Sequence, residues 1–190
     1  GASLGVSPIP ERTCNYSCVY CQLGRTLRMT NTRQEFFPLE EILAEFREYL
    51  RGSIPFDVVT VVGEGEPTLY SRLGELIAGL KKETDKPVAV ITNGALLYDA
   101  ERRRELMEAD IVLPSLDAVT EERWRKIDRP MGSIGFAEMA EGLRQFAREY
   151  QGQLWIEIML VDGMNDSPED IAAFKEFLGT IDYDRVYLNT

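Results

Sequence analysis

At 190 residues and 44% hydrophobic side chains, the chain is long enough to bury one sizeable core, and apolar runs such as 58–62 fall far short of the ~20 residues a bilayer span needs. A formal charge of −11 works against broad attraction to a phosphate backbone, so nucleic acid is a poor default partner and no membrane is implied. The complete absence of histidine removes Ser-His-Asp and Cys-His nucleophiles, the HExxH zinc site and imidazole proton shuttling, leaving carboxylates, thiolates, backbone groups or a borrowed cofactor to carry any chemistry.

A β-rich run over 4–9 opens the chain and leads past Pro8 and Pro10 into TCNYSCVYCQ, which holds all three cysteines, Cys14, Cys18 and Cys21. Scarce, clustered cysteine and the lack of a charged leader with an apolar core suit a reducing cytoplasm. The spacing Cys14-x3-Cys18-x2-Cys21 also fits one stripe of a helix, but the preceding prolines, Asn15, Ser17 and Gly24 favour a loop. A structural zinc site would want a fourth ligand, which here cannot be histidine. Iron–sulfur clusters also usually take four thiolates, yet three can hold a four-iron cube with one iron left open.

Helical patterns follow at 39–50, 71–82, 99–109, 136–150 and 168–178, with Pro38 and Pro168 placed for a first turn and Ser71 and Ser167 as caps. Strand patterns lie between them at 57–62, 88–92, 111–115, 154–161 and 185–188. The triplet Arg102-Arg103-Arg104 reads as a solvated helical face. Six β/α units in 190 residues predict an α/β fold with parallel strands, either an incomplete barrel or an open doubly wound sheet; both place ligands at the carboxyl ends of the strands. One domain is expected, part of a longer chain cut at both ends.

Those strand ends carry the polar residues. After 58–62 comes Gly63-Glu64-Gly65-Glu66-Pro67-Thr68, which fails as a pyrophosphate loop because Pro67 lacks an N–H and two carboxylates flank the turn; a flexible backbone between carboxylates suits an ammonium group. Thr92-Asn93-Gly94 and Ser115-Leu116-Asp117 close the next two strands, with groups able to meet hydroxyls or a carboxylate. Arg129, before Pro130 in an extended dipeptide, either grips a carboxylate or pairs with Asp128 or Glu122. Glu157, inside an apolar run, must sit in an internal ion pair or face a barrel lumen. Asn189 ends the last strand.

The CxxxCxxC spacing, with Tyr20 before the last cysteine, resembles the radical S-adenosylmethionine (SAM) superfamily. Together with GEGEPTL, ITNG, SLDA, KIDRP and MLVDGMND, it is similar to a group distantly related to the wybutosine-synthesis enzyme, over nearly the whole chain. The resemblance implies a partial (β/α)6 TIM-like barrel. It implies a [4Fe-4S] cluster on Cys14, Cys18 and Cys21, whose open iron binds SAM, and reduction by a donor such as flavodoxin or ferredoxin to give a 5'-deoxyadenosyl radical that takes hydrogen from a substrate. It implies methionine-amine contacts from Gly63, Gly65, Glu66 and Pro67, ribose or carboxylate contacts from Asn93 and Ser115, and adenine contact from Val161, with Tyr20, Asp117, Arg129 and Asn189 as further cofactor-side residues. Glu64 replaces the first of the family's adjacent glycines. Other readings are a non-catalytic iron–sulfur carrier or scaffold, a zinc-stabilised binding module, and a wybutosine-type role on tRNA, which the acidic charge and the lack of further cysteines disfavour.

Overall fold

The computed structural model describes residues 1–52 and 54–190. Six strands form one sheet: β1 (Ser3–Val6), β4 (Val58–Val61), β5 (Val88–Thr92), β6 (Ile111–Pro114), β7 (Gln153–Met159) and β8 (Arg185–Asn189). Every neighbouring pair is parallel, and the order is β1-β4-β5-β6-β7-β8. A doubly wound sheet reverses its strand order part-way, whereas this one advances in a single direction with helices between its strands. That order makes the chain a partial (β/α)6 barrel. The two remaining strands, β2 (Thr13–Cys14) and β3 (Arg28–Met29), form a small parallel pair that frames the cysteine loop.

The helices are α1 (Leu39–Arg51), α2 (Leu73–Glu83), α3 (Ala100–Leu106), α4 (Glu121–Ile127), α5 (Phe136–Glu149) and α6 (Pro168–Leu178). Alternation along β7 separates the two faces. Leu154, Ile156 and Ile158 are buried in the main core with Leu143 and Phe146 of α5 and Phe174 and Phe177 of α6, while Trp155, Glu157 and Met159 point the other way and are half-buried. Val59, Val61, Val88, Val90 and Val112 continue the core along the other strands, against Leu73, Leu76, Ile77 and Leu80 of α2. Among the described residues, no helix is long and apolar enough to cross a membrane.

Several sequence expectations shift. The strand predicted at 4–9 stops at Val6. Ser167 caps α6 by accepting from the Asp170 N–H at 3.1 Å, but Ser71 does not cap α2, whose N-cap is Arg72 without a side-chain bond. Pro38 is itself the N-cap of α1, one residue before the first turn. The helix α4 had no counterpart in the hydrophobic pattern; it is short, and Thr120, accepting from Arg123 N–H, starts it. The arginine triplet is not a solvated face, because Arg103 is buried. Its guanidinium bonds Glu149 at 2.8 Å and the Leu97 and Tyr98 carbonyls at 2.9 and 3.1 Å, tying α3 to α5.

Helix α5 lies so close to the loop after β5 that a Cβ on Gly142 would stand 2.3 Å from the Tyr98 nitrogen and 2.5 Å from the Leu97 carbonyl carbon. Backbone cannot yield as a flexible side chain would. Gly142→Ala is therefore expected to cost about 1–3 kcal/mol in chemical denaturation, whereas Gly132→Ala, with no atom within 4 Å of the added methyl, should stay within about 0.5 kcal/mol of the parent.

Candidate functional site

The cysteine loop is stapled to the far side of the barrel mouth. Ser17 N–H donates to the Asp128 carbonyl at 3.0 Å, Val19 N–H to Ile127 at 2.8 Å, and Met131 N–H to Asn15 at 2.8 Å. Trp124 of α4 donates its indole N–H to the Tyr16 hydroxyl at 3.1 Å, with the rings edge-on at 5.8 Å. The helix missing from the sequence reading is thus the one that anchors the loop.

On the near side, Thr13 bridges Gly65 as an isolated parallel pair, Glu66 N–H donates to the Thr13 carbonyl at 3.1 Å, and Arg12 N–H donates to Glu64. A Cβ on Gly65 would lie 1.7 Å from the Thr13 oxygen, so no other residue fits there. Arg12 sits at φ +55°, a left-handed conformation uncommon for a non-glycine residue.

Glu66 departs from the picture of a carboxylate offered to a ligand. It is buried, with Oε1 accepting from Thr68 N–H (3.0 Å), Thr68 Oγ1 (2.6 Å) and Thr92 Oγ1 (2.5 Å), and Oε2 from Asn93 N–H (2.8 Å). Burial pushes its pKa up against the pull of those donors. It works as a clamp joining the turns after β4 and β5, while Pro67 opens the short 3-10 turn Pro67–Leu69 behind it.

Asn93 reaches the cysteine loop directly: its Nδ2 donates to Asn15 Oδ1 at 2.7 Å and lies 3.6 Å from Cys14 Sγ. Ser115 bridges Glu157 across β6 and β7. Glu157 faces the lumen and accepts from Asn189 Nδ2 at 2.5 Å, without a cation partner among the described residues. Asp117 is buried, accepting from the Tyr20 hydroxyl and from Met159 N–H at 2.7 Å, so Tyr20 latches the cysteine loop to the end of β6. Val161 is half-buried, its N–H held by Asn165 Oδ1 at 2.7 Å, and Asn165 also donates to the Asp117 carbonyl. Arg129 is not in an extended dipeptide: its φ is +47°, its side chain is exposed, and it pairs with neither Asp128 nor Glu122. Asp128 is instead buried beside Asp117, with Cys18 Sγ donating to its Oδ1 at 3.6 Å.

All three cysteines are free and half-buried, and they line one cavity of about 160 Å³ whose other walls include Gly63, Gly65 and Arg12. Sequence residues 9–175 match the family model of the radical SAM superfamily. The chain belongs to the radical SAM superfamily. It is 42% identical over its full length to GTPase Obg of Brachyspira hyodysenteriae, spanning 28% of that protein, and 35% identical to a UPF0026 protein of Methanocaldococcus jannaschii, spanning 60% of it. The solved structure of native anSMEcpe with bound AdoMet superposes on 99% of this chain and 51% of its own length, with TM-score 0.72 at 18% identity, a likeness of fold.

With radical SAM membership go a [4Fe-4S] cluster and SAM, and the donor set fits such a cluster. Among the described residues no three Cys, Asp or Glu side chains gather closely enough for a single metal ion; the thiols stand around a shared space instead. Beside Cys14, the Asn15 Nδ2 is buried with no acceptor, a donor that a ligating sulfur could satisfy. Burial, with Glu66 nearby, pushes the Cys14 thiol up to about 12, and burial with Asp128 pushes Cys18 further in the same direction. Burial therefore favours the protonated thiols of Cys14 and Cys18, which must release their protons on binding metal. Asp117 and Asp128 are both raised by burial. Two hydrogen bonds to Asp117 oppose its shift, whereas the neighbouring Asp117 adds to the shift of Asp128.

Gly65→Ala should separate the β4 turn from β2. The expected result is a loss of at least about 2 kcal/mol in stability by denaturant titration, together with reduced iron retention after anaerobic reconstitution. Normal iron content in a folded Gly65→Ala protein would show that the contact does not set the cysteine geometry.

Proposed function

We propose that these 190 residues are the catalytic core of a radical SAM enzyme with oxidoreductase-like chemistry, part of a longer cytoplasmic protein, acting on a substrate still to be identified. The observation that carries this reading is the single cavity onto which three unpaired thiols and the Gly63–Gly65 turn both face. When bound, the cluster and SAM would supply reductive cleavage of the sulfonium and a 5'-deoxyadenosyl radical able to take hydrogen from the substrate.

The chain's own residues would divide the remaining work. Cys14, Cys18 and Cys21 would hold three irons, and Tyr20 would keep their loop closed on the barrel through Asp117. Gly63, Gly65, Glu66 and Pro67 would shape the turn that receives the methionine amino group, with Glu66 acting through its clamp on Asn93. Asn93 and the hydroxyl of Ser115 would meet ribose or the methionine carboxylate, and the exposed Arg129 would bind that carboxylate. Val161 and Asn189, at the ends of β7 and β8, would border the adenine side. The strand-end location supports these roles, since parallel α/β sheets bind ligands there.

Anaerobic reconstitution with iron and sulfide, followed by dithionite and SAM, is expected to yield 5'-deoxyadenosine, measured by chromatography. Cys18→Ala should abolish both the charge-transfer absorption of the cluster and nucleoside formation. Turnover and normal iron content in that variant would overturn the ligand assignment, and a stable cluster that never cleaves SAM would favour an electron carrier.

A further inference from the structure

Between Arg12 and Gln34 the chain carries four arginines and no carboxylate, although the whole chain has a formal charge of −11. Arg33 is committed internally, to Glu105 and two backbone carbonyls, and Arg12 pairs with Glu11. Arg25 and Arg28 are exposed and meet no carboxylate among the described residues; Arg28 lies over the Phe36 ring at 5.5 Å and donates to the Gln34 side-chain amide oxygen at 3.1 Å. Between and beside them lie Leu27, 70% exposed, and Met29, 40% exposed. Apolar side chains framed by guanidiniums with no carboxylate partner are the composition of a protein interface more than of a solvated loop.

The position of this lip sharpens its meaning. Gln22, Leu23 and Gly24, immediately before it, and Thr26 within it wall the cysteine cavity. Leu27 N–H and Arg28 N–H both donate to the Arg12 carbonyl, at 3.0 and 3.1 Å, and Met29 is the direct strand partner of Cys14. One strand spacing, about 4.8 Å, separates the exposed lip from a cysteine backbone. We propose that the segment 25–29 is the docking surface for a compact acidic electron-carrier protein that reduces the centre held by Cys14, Cys18 and Cys21. The inference rests on the radical SAM reading above and adds the route by which the electron arrives. The exchange is one electron, lost by the reduced carrier and gained at the cysteine-held centre, with no bond made or broken.

Charge range selects this partner over a nucleic acid. At physiological ionic strength exposed charges act over about 8 Å, so Arg25 and Arg28 weigh more on a protein docked at the lip than the net charge of the whole chain does. An extended polyanion would reach beyond the two arginines over a chain whose formal charge is −11.

The test uses the reconstituted protein and a reduced acidic flavodoxin as the probe, with cluster bleaching followed by stopped-flow absorbance and affinity by surface plasmon resonance. Flavodoxin-driven bleaching should slow about tenfold or more in R25E/R28E, and the parent rate should fall as salt rises, while dithionite bleaches parent and variant equally. R104E, which reverses an exposed arginine on α3, should behave as the parent. Parent-like reduction of R25E/R28E by flavodoxin overturns the proposal, as does an equal loss in R104E, which would be an effect of net charge alone. Slower bleaching by dithionite as well would mean a damaged cluster and also overturns it. Saturable tRNA binding that is lost in R25E/R28E, with flavodoxin reduction intact, assigns the lip to RNA instead. A parent protein that assembles no reducible cluster would sink the radical SAM reading itself, a result distinct from all of these.

Discussion

The seam between Gly65 and Thr13 is the constraint on which the site depends. Two backbones approach so closely that a methyl group would lie inside the Thr13 carbonyl. Around that contact the Glu66 N–H and the Arg12 N–H close hydrogen bonds in opposite directions between the two segments. The seam therefore holds the cysteine loop against the end of β4 without any side chain between them. Glycine is needed here for close approach, since no positive φ is involved. Gly63 and Cys14, both walls of the cavity, stand on either side of this contact.

Glu66 extends the seam sideways. A carboxylate fully enclosed by protein is costly unless its lone pairs are filled, and here four donors from Thr68, Thr92 and Asn93 fill them. Those donors belong to two successive strand ends, so the satisfaction of one buried carboxyl group requires both turns to be in register. Asn93, oriented by this clamp, then reaches Asn15 and Cys14. The chain of contacts runs from a buried acid to a sulfur without passing through any cation.

What was legible in the sequence was what repeats. Alternation and length placed β5 at 88–92 and bounded α5 and α6 to within a residue or so, because those segments bury a continuous apolar face. The cysteine spacing was equally plain, being local. The rest was set by tertiary contacts that leave no periodic trace. Asp128 entered the sequence reading only as an ion-pair partner for Arg129, yet it is buried and the cysteine loop binds its carbonyl. Arg103 read as solvated because Glu101 and Glu105 flank its triplet, yet it is buried and pairs with Glu149, 46 residues away. Helix α4 escaped because only Trp124 and Ile127 are buried along its seven residues, too few to make a stripe. A Thr followed by two glutamates was the one cue present.

The distribution of charge then follows from the absence of histidine. With no imidazole to hold or relay protons, the polar groups around the cavity are acids held by neutral donors: Glu66 by hydroxyls and amides, Asp117 by Tyr20 and a backbone N–H. Such groups orient by hydrogen bonding while leaving the guanidiniums unspent. Arg33 and Arg103 go into the frame, each binding backbone carbonyls and a glutamate. Arg25 and Arg28 alone in the cysteine segment are left facing outward without a carboxylate among the described residues. A site that fixes its geometry with neutral donors can keep its positive charge for the surface, where it governs which partners approach.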